Sequence, residues 1–341
     1  MAGLSKLVGE SFRDQDRLTT AVSRHLLKRP EGDRRADCIH PSEASHEDWC
    51  KRATYYRIIG IPPEPTARSL AMEMVFETGH DAHRKWQTWL WEMGMLSGEW
   101  KCLACSNRWS DTSPEQCPAC GGGRKVIEYA EVRADADEYL IHGRSDGEVF
   151  WNGERRLIEI KTIGPGTVRW EAPSLVAAHT YKHTDETGRE RSGVDWQALW
   201  NSIRRPFPSH IRQGMIYCMA TGVDSIVYIY DPKFLTAGPK EFTVKYRRDL
   251  IEDLLEECLI VKASVENGRA PKRPFWAETS CRTCKECSFK GVCWNGISQR
   301  HGDGVPAAHA GQSRSPEPGD APTRPTRVRL TSAPAQAVGA G

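Results

Sequence analysis

The sequence predicts an α/β fold in which a mixed central sheet is flanked by helices. Helical periodicity, strand-like runs and a strong hairpin turn signal carry this prediction. In chain order the predicted elements are a helix at 66–93, strands at 125–134, 139–151 and 155–162, a helix at 209–221, strands at 225–230 and 241–246, and a helix at 249–267. Helices and strands in this order favour layers of helices packed on one sheet.

The first helix and the hairpin have the clearest signals. Gly79 completes an apolar stripe at helical spacing, whose other members are Val75, Ala82, Trp86, Trp89 and Met93. The dipeptide Asn152-Gly153 separates the second and third strand runs, and this pair favours the tight turn of a two-residue β-hairpin. The strands on either side of it are therefore expected to be neighbours.

Composition narrows the class of protein without identifying it. The 341 residues carry a net charge of only +2, so any nucleic-acid surface has to come from local clustering of Lys and Arg. No hydrophobic segment follows the start Met, and no stretch approaches the ~18 apolar residues that span a bilayer. A cytoplasmic protein without membrane contact is expected. The 12 cysteines, several in C-x2-C pairs, are then expected to bind metal and not to form disulfides.

A carboxylate and lysine pattern lies on both sides of the hairpin turn. Side chains alternate between faces along the third strand run, so Glu159 and Lys161 share one face. Ile158 and Ile160 then face the core. Asp146 follows the apolar part of the preceding run, where the hairpin can bring it beside Glu159. Two carboxylates can hold Mg²⁺ or Mn²⁺ against a phosphate, and a nearby lysine can orient or deprotonate water. The same spacing also describes an ordinary exposed sheet face.

Two further motifs flank this pattern. Gly79 and His83 lie four residues apart on the first helix, and Gln213 and Tyr217 have the same spacing on the second. Residues four apart share a helical face, so each pair can address one site. With these motifs in order, the region 39–294 resembles the RecB-like nucleases of the PD-(D/E)XK superfamily. It is most similar to their iron-sulfur branch, which includes the CRISPR-adaptation exonuclease and phage relatives.

The resemblance implies a restriction-endonuclease-like core and a metal-dependent DNA exonuclease. The catalytic residues it implies are Asp146, Glu159, Lys161, His83, Gln213 and Tyr217. The Mg²⁺ or Mn²⁺ ligands would be His83, Asp146, Glu159 and the backbone carbonyl of Ile160. Ser145 replaces the Pro that names the motif, which is not a ligand in the family.

The implied substrate is single-stranded DNA or DNA ends, in recombination, repair or replication. An endonuclease of the same fold is one alternative. The other is a non-catalytic DNA-binding adaptor that assembles with recombination or replication proteins.

Four cysteines near the C-terminal end of the predicted fold have the pattern C-x2-C-x2-C-x5-C, and they are Cys281, Cys284, Cys287 and Cys293. Such a run can bind Zn²⁺ by itself. In the iron-sulfur branch one cysteine before the first helix joins three at the end. The resemblance therefore implies a [4Fe-4S] cluster held by Cys50, Cys284, Cys287 and Cys293, with a structural role. Local zinc at the four C-terminal cysteines is the alternative.

A second cysteine set has the spacing of a zinc ribbon, and its members are Cys102, Cys105, Cys117 and Cys120. We expect structural Zn²⁺ here, because four thiolates leave no open coordination position. The ribbon is expected to be inserted between the first helix and the sheet. It either touches DNA or is purely structural, and the side chains that could touch DNA are Arg108, Trp109, Arg124 and Lys125.

Cations and aromatic rings also mix in the segment after Lys161, in Arg169, Trp170, Tyr181, Lys182, Trp196, Trp200, Arg204 and Arg205. Rings that stack on bases and cations that follow phosphates bind single strands. Tryptophans that pack down on the core would give the same composition. Both interpretations stay open.

These assignments divide the chain into three parts. We expect a helical extension at 1–37, a nuclease domain at 38–299 and a tail at 300–341. The nuclease domain would contain the ribbon at 100–124 and the cysteine cluster at 281–293. The tail is rich in Pro, Ala, Gly, Ser and Arg without apolar periodicity, so it is expected to be disordered.

Overall fold

The computed structural model describes residues 18–26, 35–65, 69–234 and 237–295. The predicted tail lies outside these residues, as do positions 1–17 and 27–34 of the predicted N-terminal extension. The domain boundaries drawn from the sequence therefore stay a prediction.

The described helices are α1 (Leu18–Leu26), α2 (Pro41–Ala44), α3 (Lys51–Ile58), α4 (Leu70–Glu92), α5 (Pro165–Glu171), α6 (Pro173–Ala178), α7 (Trp196–Ser202), α8 (Pro208–Thr221), α9 (Glu252–Glu266), α10 (Arg282–Lys285) and α11 (Lys290–Asn295). The described strands are β1 (Leu96–Cys102), β2 (Arg108–Thr112), β3 (Ile127–Tyr129), β4 (Val132–Arg133), β5 (Arg144–Ser145), β6 (Gly147–Trp151), β7 (Glu154–Ile163), β8 (Thr180–Thr184), β9 (Glu190–Val194), β10 (Ser225–Pro232) and β11 (Lys240–Lys245).

A 7-stranded sheet forms the centre, in the order β11-β10-β7-β6-β1-β2, with β3 also paired to β1. β7 and β10 run parallel, and the other neighbouring pairs in this sheet are antiparallel. Helices α4 and α8 lie against β7. The predicted α/β architecture, a mixed central sheet flanked by helices, is confirmed.

The β6–β7 hairpin forms at the predicted turn. Asn152 and Gly153 have φ angles of 51° and 82°, and a type I′ turn needs positive values at both central positions. The pairing of the two strands ends at Gly147 and Ile158. Because β7 continues beyond this point, Asp146 lies where β7 no longer has β6 beside it.

Two predicted strands are interrupted, and each interruption places a carboxylate at the break. The run 125–134 forms β3 and β4, because Glu131 between them has a φ of 64° that no regular strand adopts. The run 139–151 starts with a 3₁₀ turn and is divided into β5 and β6 at Asp146. The prediction of two continuous strands was wrong, because backbone turns at these residues replace the regular ladder.

β7 is buried on both faces. Leu157 and Ile163 belong to the apolar cluster that includes residues of α8 and α9. Ile158 and Ile160 face the core on the other side, as predicted, where Trp86 of α4 packs against them. Glu159 and Lys161 are therefore enclosed between sheet and helix, and the exposed-face interpretation of their spacing does not hold.

The middle of the apolar stripe of α4 faces the sheet, where Trp86 packs on the core, but the ends of the stripe do not. Ala82 is buried as predicted. Val75, Trp89 and Met93 are 59%, 47% and 61% exposed, so the prediction was wrong for them. The side that meets β7 also carries His83, a polar residue that an apolar stripe does not include.

Gly214 allows α8 to approach the sheet closely. A Cβ at this position would overlap the hydroxyl of Tyr228. We expect Gly214→Ala to lower the free energy of unfolding by about 1–3 kcal/mol, as overpacked core positions do, measured by urea denaturation. Gly166→Ala is the matched control, because a Cβ there meets no atom within 4 Å. Equal stability of the two variants would contradict this close packing.

Candidate functional site

Asp146 is fixed in place by β7 and α4. Its Oδ2 accepts a hydrogen bond from the Ile160 N–H at 2.6 Å, and its main-chain carbonyl accepts one from Gln87 Nε2 at 2.8 Å. The buried Ser145 hydroxyl donates to the Ile158 carbonyl at 2.9 Å, which secures the bend before Asp146. Asp146 is only 7% exposed, so protein groups and not solvent determine its position.

Glu159, Lys161 and two residues of α8 form one hydrogen-bonded group. Lys161 Nζ lies 2.8 Å from Glu159 Oε1 and donates to Gln213 Oε1 at 2.9 Å. Gln213 Nε2 donates to Glu159 Oε1 at 2.9 Å and to the Tyr217 hydroxyl at 2.8 Å. The α8 pair identified in the sequence therefore reaches the β7 pair. Glu159 is only 2% exposed, and its Oε2 has no hydrogen-bond partner among the described residues.

His83 joins the group through both ring nitrogens. Nε2 lies 2.9 Å from the Ile160 carbonyl oxygen, and Nδ1 lies 3.4 Å from Asp146 Oδ1. A carbonyl can only accept, so the proton is on Nε2, and in a neutral ring Nδ1 is an acceptor that faces another acceptor. Burial lowers the pKa of His83, which favours the neutral ring. A cation beside these two atoms would relieve the contact.

Glu131 is an ionisable group at this place that the sequence did not indicate. Its carboxylate, a ring nitrogen of His83 and a carboxylate oxygen of Asp146 offer donor atoms that all lie within 4.8 Å of one another. Burial raises the pKa of the Glu131 carboxyl despite the opposing charge of Arg144. In the sequence Glu131 is one polar residue in a strand-like run, and its positive φ has no sequence signal.

The electrostatics of the group favour an added positive charge. Burial, reinforced by Glu159 and Glu131, raises the pKa of Asp146 well above its usual range. Burial lowers the pKa of Lys161, but Glu159 and Asp146 outweigh it, and the pKa lies above its ordinary value. Asp146 and Glu159 thus share the ammonium of Lys161, while Arg144 opposes the charge of Glu131, and a divalent cation would reduce the repulsion among the three carboxylates.

A cleft of about 640 Å³ opens beside these groups, and His83, Glu131, Asp146 and Tyr217 line it. Several basic side chains line its remaining wall, and they are Arg35, His40, His80, Arg133, His142 and Arg144. Asp135 also lines the cleft, and the arginines of the cleft are paired with the carboxylates of Asp37 and Glu99.

The ribbon cysteines converge on one point. The sulfurs of Cys102 and Cys120 are 3.6 Å apart and those of Cys105 and Cys117 are 3.7 Å apart, and all four lie within 4.8 Å of one another. Metal–sulfur bonds of about 2.3 Å place tetrahedral sulfurs roughly 3.8 Å apart, so this set fits a single metal ion. Cys102 ends β1, and β2 and β3 both pair with β1. The ribbon is therefore continuous with the central sheet.

Two of the four ribbon side chains considered for DNA contact have structural partners. The Arg124 guanidinium lies 5.0 Å from the Trp91 ring centroid, and Trp109 packs against the core cluster on the α4 side of the sheet. Arg108 and Lys125 are exposed. A structural role therefore accounts for Arg124 and Trp109.

The cysteines near the end of the described chain also gather. One apolar cavity is lined by Cys50, Cys284, Cys287 and Cys293. Cys281 does not line it, and its sulfur instead accepts a hydrogen bond from the Cys284 N–H at 3.3 Å, at the start of α10. Of the two ligand sets considered, the one with Cys50 shares a common space.

In the aromatic and basic segment after Lys161, some rings pack on the core and others lie on the surface, where they could bind a single strand. Trp200 is buried, and Trp196 packs against Phe234 with ring centroids 5.1 Å apart. Trp170 and Tyr181 are 51% and 53% exposed. The cations of this segment are exposed, and they are Arg169, Lys182, Arg204 and Arg205. Two rings serve packing, and two remain available on the surface.

Comparison with known proteins gives only distant structural likenesses. No protein-family model and no curated protein matches the chain. The crystal structure of SSO0001 aligns at 13% identity over 81% of this chain and 92% of its own, with a TM-score of 0.34. LHK-Exo in complex with dAMP aligns at 13% identity over 68% and 90%, with a TM-score of 0.37. The alkaline exonuclease LHK-Exo from Laribacter hongkongensis aligns at 14% identity over 69% and 90%, with a TM-score of 0.36.

Likenesses at these TM-scores carry no argument about activity, which has to come from the site itself.

Within the described residues, no helix combines the length and the apolar character that a membrane crossing requires.

Proposed function

We propose that the chain is a metal-dependent DNA nuclease of the RecB-like type, with the restriction-endonuclease-like core of the PD-(D/E)XK superfamily. One observation carries the proposal. Acceptor atoms lack donors, because Nδ1 of the half-buried His83 faces Asp146 Oδ1 and the buried Glu159 Oε2 has no described partner. Buried acceptors of this kind are unfavourable unless a cation satisfies them.

The donor set fits Mg²⁺ or Mn²⁺. His83, Asp146 and Glu159 would hold the ion, and the backbone carbonyl of Ile160 would join them by giving up its hydrogen bond from His83 Nε2. Carboxylate and carbonyl oxygens suit both metals, and an imidazole nitrogen is compatible with Mn²⁺. When bound, such an ion neutralises charge on a phosphate and lowers the pKa of water.

Lys161 would assist hydrolysis from the side of β7. Its ammonium is held between Glu159 and Gln213, so it can donate a hydrogen bond to a phosphate oxygen or to the attacking water as charge develops. The water oxygen bonds to phosphorus, the bond from phosphorus to the leaving sugar oxygen breaks, and that oxygen takes up a proton. Gln213 is a positioning residue, and Tyr217 holds its amide.

The proposed substrate is DNA, single-stranded or with free ends, and the proposed activity is that of an exonuclease in recombination, repair or replication. The cleft supports a phosphate-bearing substrate, because Arg35, Arg133 and Arg144 line it beside the carboxylates. An endonuclease of the same fold uses the same chemistry and is the alternative within enzymes. A non-catalytic adaptor would have no need to bury Asp146 and Glu159 beside Lys161.

We also propose a [4Fe-4S] cluster held by Cys50, Cys284, Cys287 and Cys293, and a structural Zn²⁺ held by the ribbon. Four thiolates are the usual ligands of such a cluster, and the cavity these cysteines share supports the assignment. The spacing of the ribbon sulfurs fits tetrahedral zinc. Both groups would stabilise the fold and leave hydrolysis to the carboxylates.

The nuclease assignment predicts that Asp146→Asn and Lys161→Ala each lower the rate of DNA degradation roughly a hundredfold or more, the size expected when a charge-stabilising group is removed. The assay follows end-labelled linear and circular single strands with Mg²⁺ or Mn²⁺. Glu128→Gln, at an exposed carboxylate on β3, is the matched control and should degrade DNA at the wild-type rate.

Degradation at equal rates by wild type and both site variants would contradict the mechanism. Cutting of the circular strand would establish the endonuclease instead. DNA binding without any degradation by the wild type would support the adaptor.

The cysteine assignment predicts a brown protein with broad visible absorbance and about four irons per chain. Cys50→Ser should lose the iron, whereas Cys281→Ser, the matched control, should keep it, because Cys281 does not line the cavity. Iron, zinc and acid-labile sulfide are measured on each purified chain. A colourless wild type that contains two zinc ions per chain would refute the cluster.

A further inference from the structure

Glu131 brings to the centre a carboxylate that the expected ligand set does not contain. It lines the cleft together with His83 and Asp146, and the three offer donor atoms within 4.8 Å of one another. The group is not purely acidic, because one donor is an imidazole nitrogen. A second, independent observation concerns Glu159, whose charge acts on all three groups and whose buried Oε2 has no partner among the described residues.

The backbone turns Glu131 toward the centre. The main chain of Glu99 in β1 hydrogen-bonds to two successive residues. Its carbonyl accepts from the Ala130 N–H at 2.7 Å, and its N–H donates to the Glu131 carbonyl at 3.0 Å. Two residues that oppose one form a bulge, and bulges redirect side chains. The φ of 64° at Glu131 is left-handed, and such a conformation in a non-glycine residue persists only where its surroundings enforce it.

Protein groups neutralise this carboxylate poorly. Arg144 is the basic side chain whose charge acts on it, but the Arg144 guanidinium pairs with Glu99 at 3.8 Å. The neutral side-chain amide of Gln87 hydrogen-bonds to the Glu131 carboxylate and also donates to the Asp146 carbonyl at 2.8 Å. The bulge therefore directs the Glu131 carboxylate toward the acceptor atoms of His83 and Asp146. A structural role alone does not explain this placement.

We propose that Glu131 is a further protein ligand of the divalent cation, and that it forms with His83 and Asp146 a site of one nitrogen and two carboxylate oxygens. This inference rests on the proposed function, because it uses the same Asp146. A nitrogen donor among oxygens favours Mn²⁺ over Mg²⁺ and Ca²⁺. The bulge between β3 and β4 thus supplies a ligand, in addition to β7 and α4.

Direct Mn²⁺ binding tests the assignment without relying on activity. The full chain is titrated with Mn²⁺, and the free ion is measured by its EPR signal. We expect Glu131→Gln to weaken binding about tenfold or more, a loss typical of disturbed metal sites, and Asp146→Asn to abolish it. Glu128→Gln, which changes an exposed carboxylate three residues earlier, should bind as wild type.

The two site variants separate the inference from the proposed function. Wild-type affinity in Glu131→Gln, with binding lost in Asp146→Asn, would overturn the role of Glu131 and leave the nuclease centre intact. Wild-type affinity in both variants would overturn the centre itself.

A glycine variant separates a ligand from a structural residue. Glu131→Gly removes the half-buried carboxylate and suits the left-handed backbone, so we expect a higher thermal midpoint in chelator together with weaker Mn²⁺ binding. A lower midpoint with unchanged Mn²⁺ affinity would show that Glu131 serves the fold alone.

Discussion

The backbone of Ile160 holds the centre together. Pairing with β6 ends at Gly147, so on that side Ile160 has no partner strand, although it still pairs with Ile229 of β10 on the other. Its N–H donates to Asp146 Oδ2 at 2.6 Å, and its carbonyl accepts from His83 at 2.9 Å. Two side chains thus satisfy main-chain groups that the sheet leaves open, which brings a carboxylate and an imidazole beside the charged residues of β7.

Burial of the carboxylates favours the binding of a cation. Gly214 lets α8 pack closely on the sheet, and Gln213 from the same helix then holds the lysine and glutamate of β7. Packing α4 and α8 on opposite faces leaves the carboxylates little water, so a cation becomes their natural partner. The ribbon contributes through β1, which ends at Cys102 and holds the bulge at Glu131 through its own backbone. Metal in the ribbon would therefore steady one wall of the cleft.

Sequence patterns could predict features that depend on local chemistry. The Asn152-Gly153 turn and the alternation along β7 follow from backbone geometry, and their predictions agree with the structure. The break at Glu131 could not be predicted, because a left-handed glutamate leaves no mark in hydropathy or spacing. The extent of the α4 stripe was misjudged, because apolar residues at its ends, Val75, Trp89 and Met93, stay exposed. The inner side of the helix also carries His83, a polar residue that an apolar stripe does not include.

Anomalous diffraction from crystals soaked in Mn²⁺ tests the central claim most directly, because it locates the metal without reference to activity. The claim is that the buried acceptors of His83, Asp146 and Glu159 form a divalent cation site. Data collected near the manganese edge should show a strong peak bounded by these three side chains and the Ile160 carbonyl. A well-ordered crystal with no peak there, or with peaks only at the cysteines, would contradict it.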